Sequence, residues 1–435
     1  MTLTLRPYQV QSAEITLQRL LSHGGHMLCL DPGLGKTAIS ANVMSSLFNF
    51  AEANRILITA PPRVMGQWPK EIARFGDSSI PITMLTGSPT ERIKAIQNQT
   101  TGVFLISHNL LAWLAHHAKP LPFDLFIIDE SSKLRNWTAK ISRAARKIAA
   151  KSRFRLLLTG SPAPNTPNEL YPQVFLADPA TPLGKNVTDY RQRFTCAGGF
   201  NMRQHIFMPH LLPAVQEITD PWITRQSNTI LTGFPRSVTN TVPVTLPPVA
   251  MRVYKEIEQE LCTALTASPL FVESAYLMCR QMASGTYYDN AHKQTFLHAA
   301  KIEALTELVD EIDDRVIVAY QFKHELAALQ RAFPDAITTD KLDKFSTARM
   351  LLAQSQSISH GIDGLQDHSH TIIFYTLPDS PETFEQLIAR LARSGQRSPT
   401  VIVHILSAIK TIDRLVQTRL NKKIDFQAAM LAYFE

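Results

Sequence analysis

Apolar residues in this chain come in short, near-continuous runs, each followed by a turn and then by a segment with helical spacing. In the first half the runs are MLCL at 27–30, RILITA at 55–60, LFIID at 125–129 and RLLLTG at 155–160. The second half repeats the arrangement with RVIVAY at 315–320, TIIFYTL at 371–377 and TVIVHIL at 400–406. Strands apolar on both faces and alternating with helices predict parallel sheets covered on both sides. Two such sets predict an α/β protein with two parallel-sheet domains in tandem. Between the sets the pattern loosens. Residues 165–235 are rich in Pro, Asn and Thr and include amphipathic pieces such as LYPQVFLADP, read here as a helical insertion. From VTLPPVAMRVYKEIEQEL (244–261) to about residue 310 the spacing is helical. The three prolines of TNTVPVTLPP (239–248) mark a linker, which sets domain 1 at 1–240 and domain 2 at 241–435. There is no short-period repeat and no low-complexity tract.

Residues 386–396, QLIARLARSGQ, pose a chemical problem. On a helix over about 382–394, Gln386, Arg390 and Arg393 fall at i, i+4 and i+7 and share one face, with Leu387, Ile388 and Leu391 on another. Guanidinium groups are permanently charged and costly to bury unpaired, so this stripe is built to meet an anion.

Length and composition narrow the class. A chain of 435 residues suggests two or three domains. With 45% hydrophobic and 19% charged residues it is globular rather than disordered. No stretch approaches the roughly 18 continuous apolar residues of a membrane span, and MTLTLRPYQV has no signal-peptide pattern, so a cytoplasmic protein is expected. Cys29, Cys196, Cys262 and Cys279 form no CxxC pair, which argues against a zinc site and a disulfide framework. A net charge of +7 and a pI near 9.2 fit a polyanionic partner but shift the balance only slightly.

Three segments carry candidate chemistry. In HMLCLDPGLGKTAIS (26–40) a strand runs through a glycine-containing loop into a helix. Backbone N–H groups of Gly33, Leu34 and Gly35 would face a phosphate, Lys36 would reach the outer phosphates and Thr37 would hold Mg²⁺. The full pattern has glycine six positions before the lysine, where Leu30 stands. In FDLFIIDESSKLRN (123–136) a strand delivers Asp129, to hold Mg²⁺, and Glu130, to polarise the attacking water. RLLLTGSPAPNTPNEL (155–170) places the hydroxyls of Thr159 and Ser161 at another strand end. Arg390 and Arg393 then fit as charge-stabilising groups supplied from the second α/β set.

In their order these motifs resemble superfamily 2 helicases, and more narrowly the Swi/Snf family of DNA-dependent ATPases, closest to its short phage-encoded members. LRPYQ (5–9) is similar to the family's adenine-reading opening, with Gln9 in the recognising position; DPGLGKT (31–37) resembles D-x-M-G-L-G-K-T. APPRVMGQWPKEIARF (60–75) and ISHNLL (106–111) resemble later motifs, with His108 for the usual tyrosine. DESS departs from D-E-[AG]-H, and TGSPAPN has Ser161 for threonine. RVIVAYQF (315–322) resembles the first strand of the second domain. Gln386-x₃-Arg390-x₂-Arg393-x-Gly395-Gln396 matches the closing motif at every named position. QSQSISHGIDGLQ (354–366) is the loosest match, with Gly361 in place, Asp363 for asparagine and Gly364 inserted.

The resemblance implies two RecA-like domains with ATP and Mg²⁺ as cofactors. It implies nucleotide contacts at Gln9, Gly33, Leu34, Gly35, Lys36, Thr37, Gly361, Asp363 and Gln386, and coupling at Thr159 and Ser161. It further implies a DNA translocase or helicase acting on duplex or branched DNA, beside replication or recombination proteins, in the host cytoplasm if phage-encoded. Arg63, Lys70, His108, Gln321 and Lys323 are the candidate nucleic-acid contacts, each with a plain solvated-face reading beside it. A strand-separating hairpin has room within 185–215. The rival readings are an RNA-dependent DEAD-box-type helicase, the motor subunit of a restriction complex and an inactive binding module.

Overall fold

The computed structural model describes residues 4–62, 64–117, 123–163, 166–181, 183–198, 204–227, 235–265, 269–288, 294–359, 364–393 and 395–422. The chain forms two compact units, Met1–Ile230 and Leu231–Glu435.

The first unit opens with α1 (Pro7–His23), which starts at a proline and stops at left-handed Gly24. Next come β1 (Gly25–Leu30), α2 (Lys36–Asn49), β2 (Arg55–Ala60), α3 (Trp68–Phe75), β3 (Ile82–Met84), α4 (Pro89–Asn98), β4 (Gly102–Ser107) and α5 (Leu111–His117). Then β5 (Leu125–Ile128), α6 (Lys140–Ala149) and β6 (Phe154–Thr159) complete the alternation. The sheet runs β3-β4-β2-β5-β6-β1 and is parallel throughout, as the apolar runs require. Leu125–Ile128 and most of the neighbouring strands are buried on both faces, so no alternation survives in the sequence.

The segment read as a helical insertion is more mixed. It holds α7 (Leu170–Ala177), α8 (Val187–Phe194), the antiparallel hairpin β7 (Thr195–Gly198) and β8 (Gln204–Phe207), and α9 (Leu212–Thr219). A hairpin therefore lies within 185–215. The segment ends in β9 (Ile223–Gln226), which joins β1 as the seventh strand of the main sheet.

The second unit begins with β10 (Arg236–Val244), whose residues 239–244 fall in the stretch read as a linker. It pairs in parallel with β17 (Thr400–Ala408) along its whole length, so the 240/241 division expected from the prolines would cut a strand of this sheet. α10 (Pro248–Leu265), α11 (Pro269–Ala283) and α12 (Ala300–Asp310) carry the expected helical stretch, interrupted by the hairpin β11 (Thr286–Tyr288) and β12 (Gln294–Phe296). The alternation resumes with β13 (Val316–Tyr320), α13 (Lys323–Ala332), β14 (Ile337–Thr338), β15 (Met350–Gln354), α14 (Ser355–Ser359), β16 (Thr371–Phe374) and α15 (Pro381–Leu391) before β17, and α16 (Asp413–Lys422) closes the described chain. The sheet order is β10-β17-β16-β13-β15-β14, all parallel. Among the described residues no helix is long and apolar enough to cross a membrane.

Candidate active site

The loop between β1 and α2 is shaped by two glycines in the left-handed region, Gly33 at φ 87° and Gly35 at φ 80°. Gly35 caps α2, and a Cβ there would lie 2.3 Å from Gln9 Nε2, so both conformation and space demand glycine. The first N–H groups of α2 have no partner within the helix and face the loop, which is the arrangement that binds anions. Lys36 Nζ donates to Leu30 O at 2.8 Å, curling the side chain over the loop. The residue that departs from the motif thus contributes its backbone carbonyl. Gln9 is buried in α1: its Nε2 donates to Leu34 O at 3.1 Å and its Oε1 accepts from Arg6 N at 2.9 Å. Tyr8 Oη donates to the same carbonyl at 3.1 Å. Gln9 therefore braces the loop.

Asp129 and Glu130 leave β5 at the end of the sheet where this loop lies. Asp129 is buried, and Trp68 Nε1 donates to its Oδ2 at 3.0 Å while Glu130 N donates to its Oδ1 at 3.0 Å. Burial pushes the Asp129 carboxyl up, opposed by the Trp68 hydrogen bond, the positive charge of Lys36 and the Glu130 N–H. Lys36 and Asp129, 93 residues apart in sequence, thus share one electrostatic site. Glu130 is half-buried at φ 50°, ψ 56°, a strained conformation for a non-glycine residue, at the end of β5.

Thr37 is half-buried in the first turn of α2. Among the described residues no group of three or more His, Cys, Asp or Glu gathers to hold a metal. Mg²⁺ is compatible with so sparse a protein set, because it takes few protein ligands and completes its shell from phosphates and water. The Thr37 hydroxyl and Asp129 carboxylate suit that role. The loop after β6 packs beside this one, since a Cβ on Gly160 would contact Pro32 at 3.6 Å. Thr159 Oγ1 donates to Ser161 O and accepts from Ser161 N, so its hydroxyl is committed within its own turn.

In the second unit, Ser380 caps α15 and Pro381 opens it. The helix ends at Leu391 and the chain turns at Ala392, ψ 73°. Gln386 and Arg390 share the helix, but Arg393 lies beyond it, so the expected three-residue helical face is not formed. Both arginines are half-buried. Gln386 Nε2 donates to Glu382 Oε1 at 3.4 Å, and its Oε1 is buried without a partner. Gln396, matched in the motif, is structural: its Nε2 donates to Ser369 O at 2.9 Å and its Oε1 accepts from Ser398 N at 3.1 Å. The approach to α15 is clamped from α11, where buried Arg280 donates to Asp379 and to Leu377 O while Tyr276 Oη donates to Asp379 at 2.6 Å.

The proposed nucleic-acid contacts divide. Lys70 and Lys323 are exposed, and Gln321 is half-buried. His108 is buried, hydrogen-bonded through Nδ1 to Thr59 Oγ1 at 2.9 Å, and pushed down to about 4 by burial. It sits in the core and cannot meet a phosphate backbone. Arg63, Gly361 and Asp363 lie outside the described residues.

Three features escaped the sequence reading. Trp68 is a carboxylate partner as well as a core residue, a role that no local pattern betrays. Gln173 links two loops and looks in the sequence like any polar helix position. The third was countable: residues 131–168 hold nine Lys and Arg and no Asp or Glu. On α6, Lys140, Arg143 and Lys147 form an exposed stripe with no ion pair among the described residues, opposite the buried Ala144, Ala145 and Ile148.

The SNF2-related domain profile matches this chain over residues 8–301. The chain belongs to the SNF2-related family. It is 29% identical to putative protein p41 of Acyrthosiphon pisum secondary endosymbiont phage 1, over 99% of this chain and 98% of p41. It is 25% identical to the human DNA annealing helicase and endonuclease ZRANB3 over 98% of this chain, which spans only 40% of that protein. The SWI2/SNF2 ATPase core of Sulfolobus solfataricus, solved in complex with dsDNA, covers 97% of this chain and 92% of its own at 18% identity, with a TM-score of 0.49.

Proposed function

We propose that this protein is an ATP-driven translocase on duplex DNA. The observation that carries the reading is the meeting, at one sheet end, of an anion-binding loop with a lysine and a buried Asp-Glu pair. In this reading Lys36 and the α2 N-terminus bind the phosphates of ATP, and Thr37 and Asp129 would hold Mg²⁺, which would supply charge neutralisation at the phosphates. Glu130 orients and polarises the attacking water. Arg390 and Arg393, supplied by the second unit, stabilise the charge of the transition state. The α6 stripe of Lys140, Arg143 and Lys147 supports a polyanionic partner, held through phosphates rather than base edges. Similarity to a protein named as a DNA annealing helicase favours branched or forked duplexes as substrates, and similarity to a phage protein favours a place in phage replication or recombination.

Displacement of a third strand from a DNA triplex tests the reading. The full chain with ATP is expected to strip the strand, whereas Lys36→Ala and Glu130→Gln lose that activity together with ATP hydrolysis, the hydrolytic loss being about 10²-fold or more. A wild-type protein that hydrolyses ATP on duplex DNA yet leaves the triplex intact is no translocase.

A further inference from the structure

Gln173 lies within α7, a helix most of whose residues are buried, and is itself fully buried. Burying an amide costs free energy unless its donors and acceptor are met. Its Oε1 accepts from Ser131 Oγ at 2.8 Å, and its Nε2 donates to Glu169 O at 3.0 Å and to Pro162 O. Ser131 is itself fully buried and directly follows Glu130, while Pro162 directly follows Ser161. One side chain therefore holds the loop leaving β5 and the loop leaving β6. The Thr159 hydroxyl, committed to Ser161, makes no such connection. The same link steadies the left-handed backbone of Glu130 through the residue next to it.

We propose that Gln173 is a positioning residue: through Ser131 and Pro162 it ties the Glu130 loop to the Ser161 loop, so that a shift of one is transmitted to the other. This rests on the ATPase reading above. Gln173→Leu keeps the volume and removes both sides of the link, and Ser131→Ala removes one side only.

The test is duplex-stimulated ATP hydrolysis by the full chain. Both variants are expected to lose kcat by about tenfold to a hundredfold, the range a small misplacement of reacting groups can cost, with KM for ATP within about twofold of wild type. The double variant is expected to be no worse than Gln173→Leu, because both substitutions cut one connection. A kcat within about twofold of wild type in both variants, or losses that simply add, overturns the proposal. If Gln173→Leu fails to fold, Ser131→Ala decides alone, with unchanged kcat as the overturning result. A wild-type chain without ATPase activity would sink the ATPase reading and this link together; an active wild type with unaffected variants sinks the link alone.

Discussion

His26 and His108 are imidazoles enclosed in the first unit, His26 in β1 with Nε2 2.9 Å from Thr224 Oγ1 and His108 against Thr59. Burial, first among the causes, pushes each ring down from 6.5 to about 4, with neighbouring positive charges adding to it. The unfolded chain takes up these protons near pH 6.5 and the folded chain only near pH 4, so the rings favour unfolding as pH falls through that window. Their contribution is intact above about pH 6.5 and costs roughly 3 kcal/mol per ring at the acid end. Denaturant unfolding at pH 7 and pH 4.5 checks this. His108→Asn is expected to soften the acid loss relative to wild type, and an identical loss would show that this ring is not held neutral. Trp68 makes a related point about residues. Its buried indole carries the donor that keeps a buried carboxylate satisfied, and only the folded chain brings the two together.

Among the elements, α6 shows how a charge pattern acquires meaning from a surface. Its buried side joins the core of the first unit beside α5 and α7, which leaves Lys140, Arg143 and Lys147 facing water without counter-charges among the described residues. Each phosphate contact releases condensed counterions, so replacing all three with Gln is expected to lower the slope of log affinity against log salt for duplex DNA by about 2–3. An unchanged slope would mean that the stripe is an ordinary solvated face. The strands were legible in the sequence because both faces of a parallel sheet are buried, and the glycine loop and Asp-Glu pair because they interrupt such runs. β10 was not legible: its residues 236–241 are exposed at a sheet edge and Pro243 lies near its end, so it reads as a linker although it pairs with nine residues of β17. The end of α15 was equally hidden, since RLAR continues the helical spacing past the point where the backbone turns. Gln173 and Trp68 depend on partners far along the chain, which periodicity does not encode.

At the scale of the whole molecule, each unit has its own parallel sheet and its own core, and the proposed chemistry is divided between them. Lys36, Asp129 and Glu130 belong to the first unit, Arg390 and Arg393 to the second. The proposed reading therefore has hydrolysis respond to nucleic acid, with duplex DNA as the proposed agent. The most direct measurement is steady-state ATP hydrolysis by the full chain at saturating duplex DNA, single-stranded DNA or RNA. A rise in kcat with duplex DNA, exceeding that with either single-stranded nucleic acid, is expected. Stimulation by RNA alone, or a rate indifferent to nucleic acid, would contradict the account.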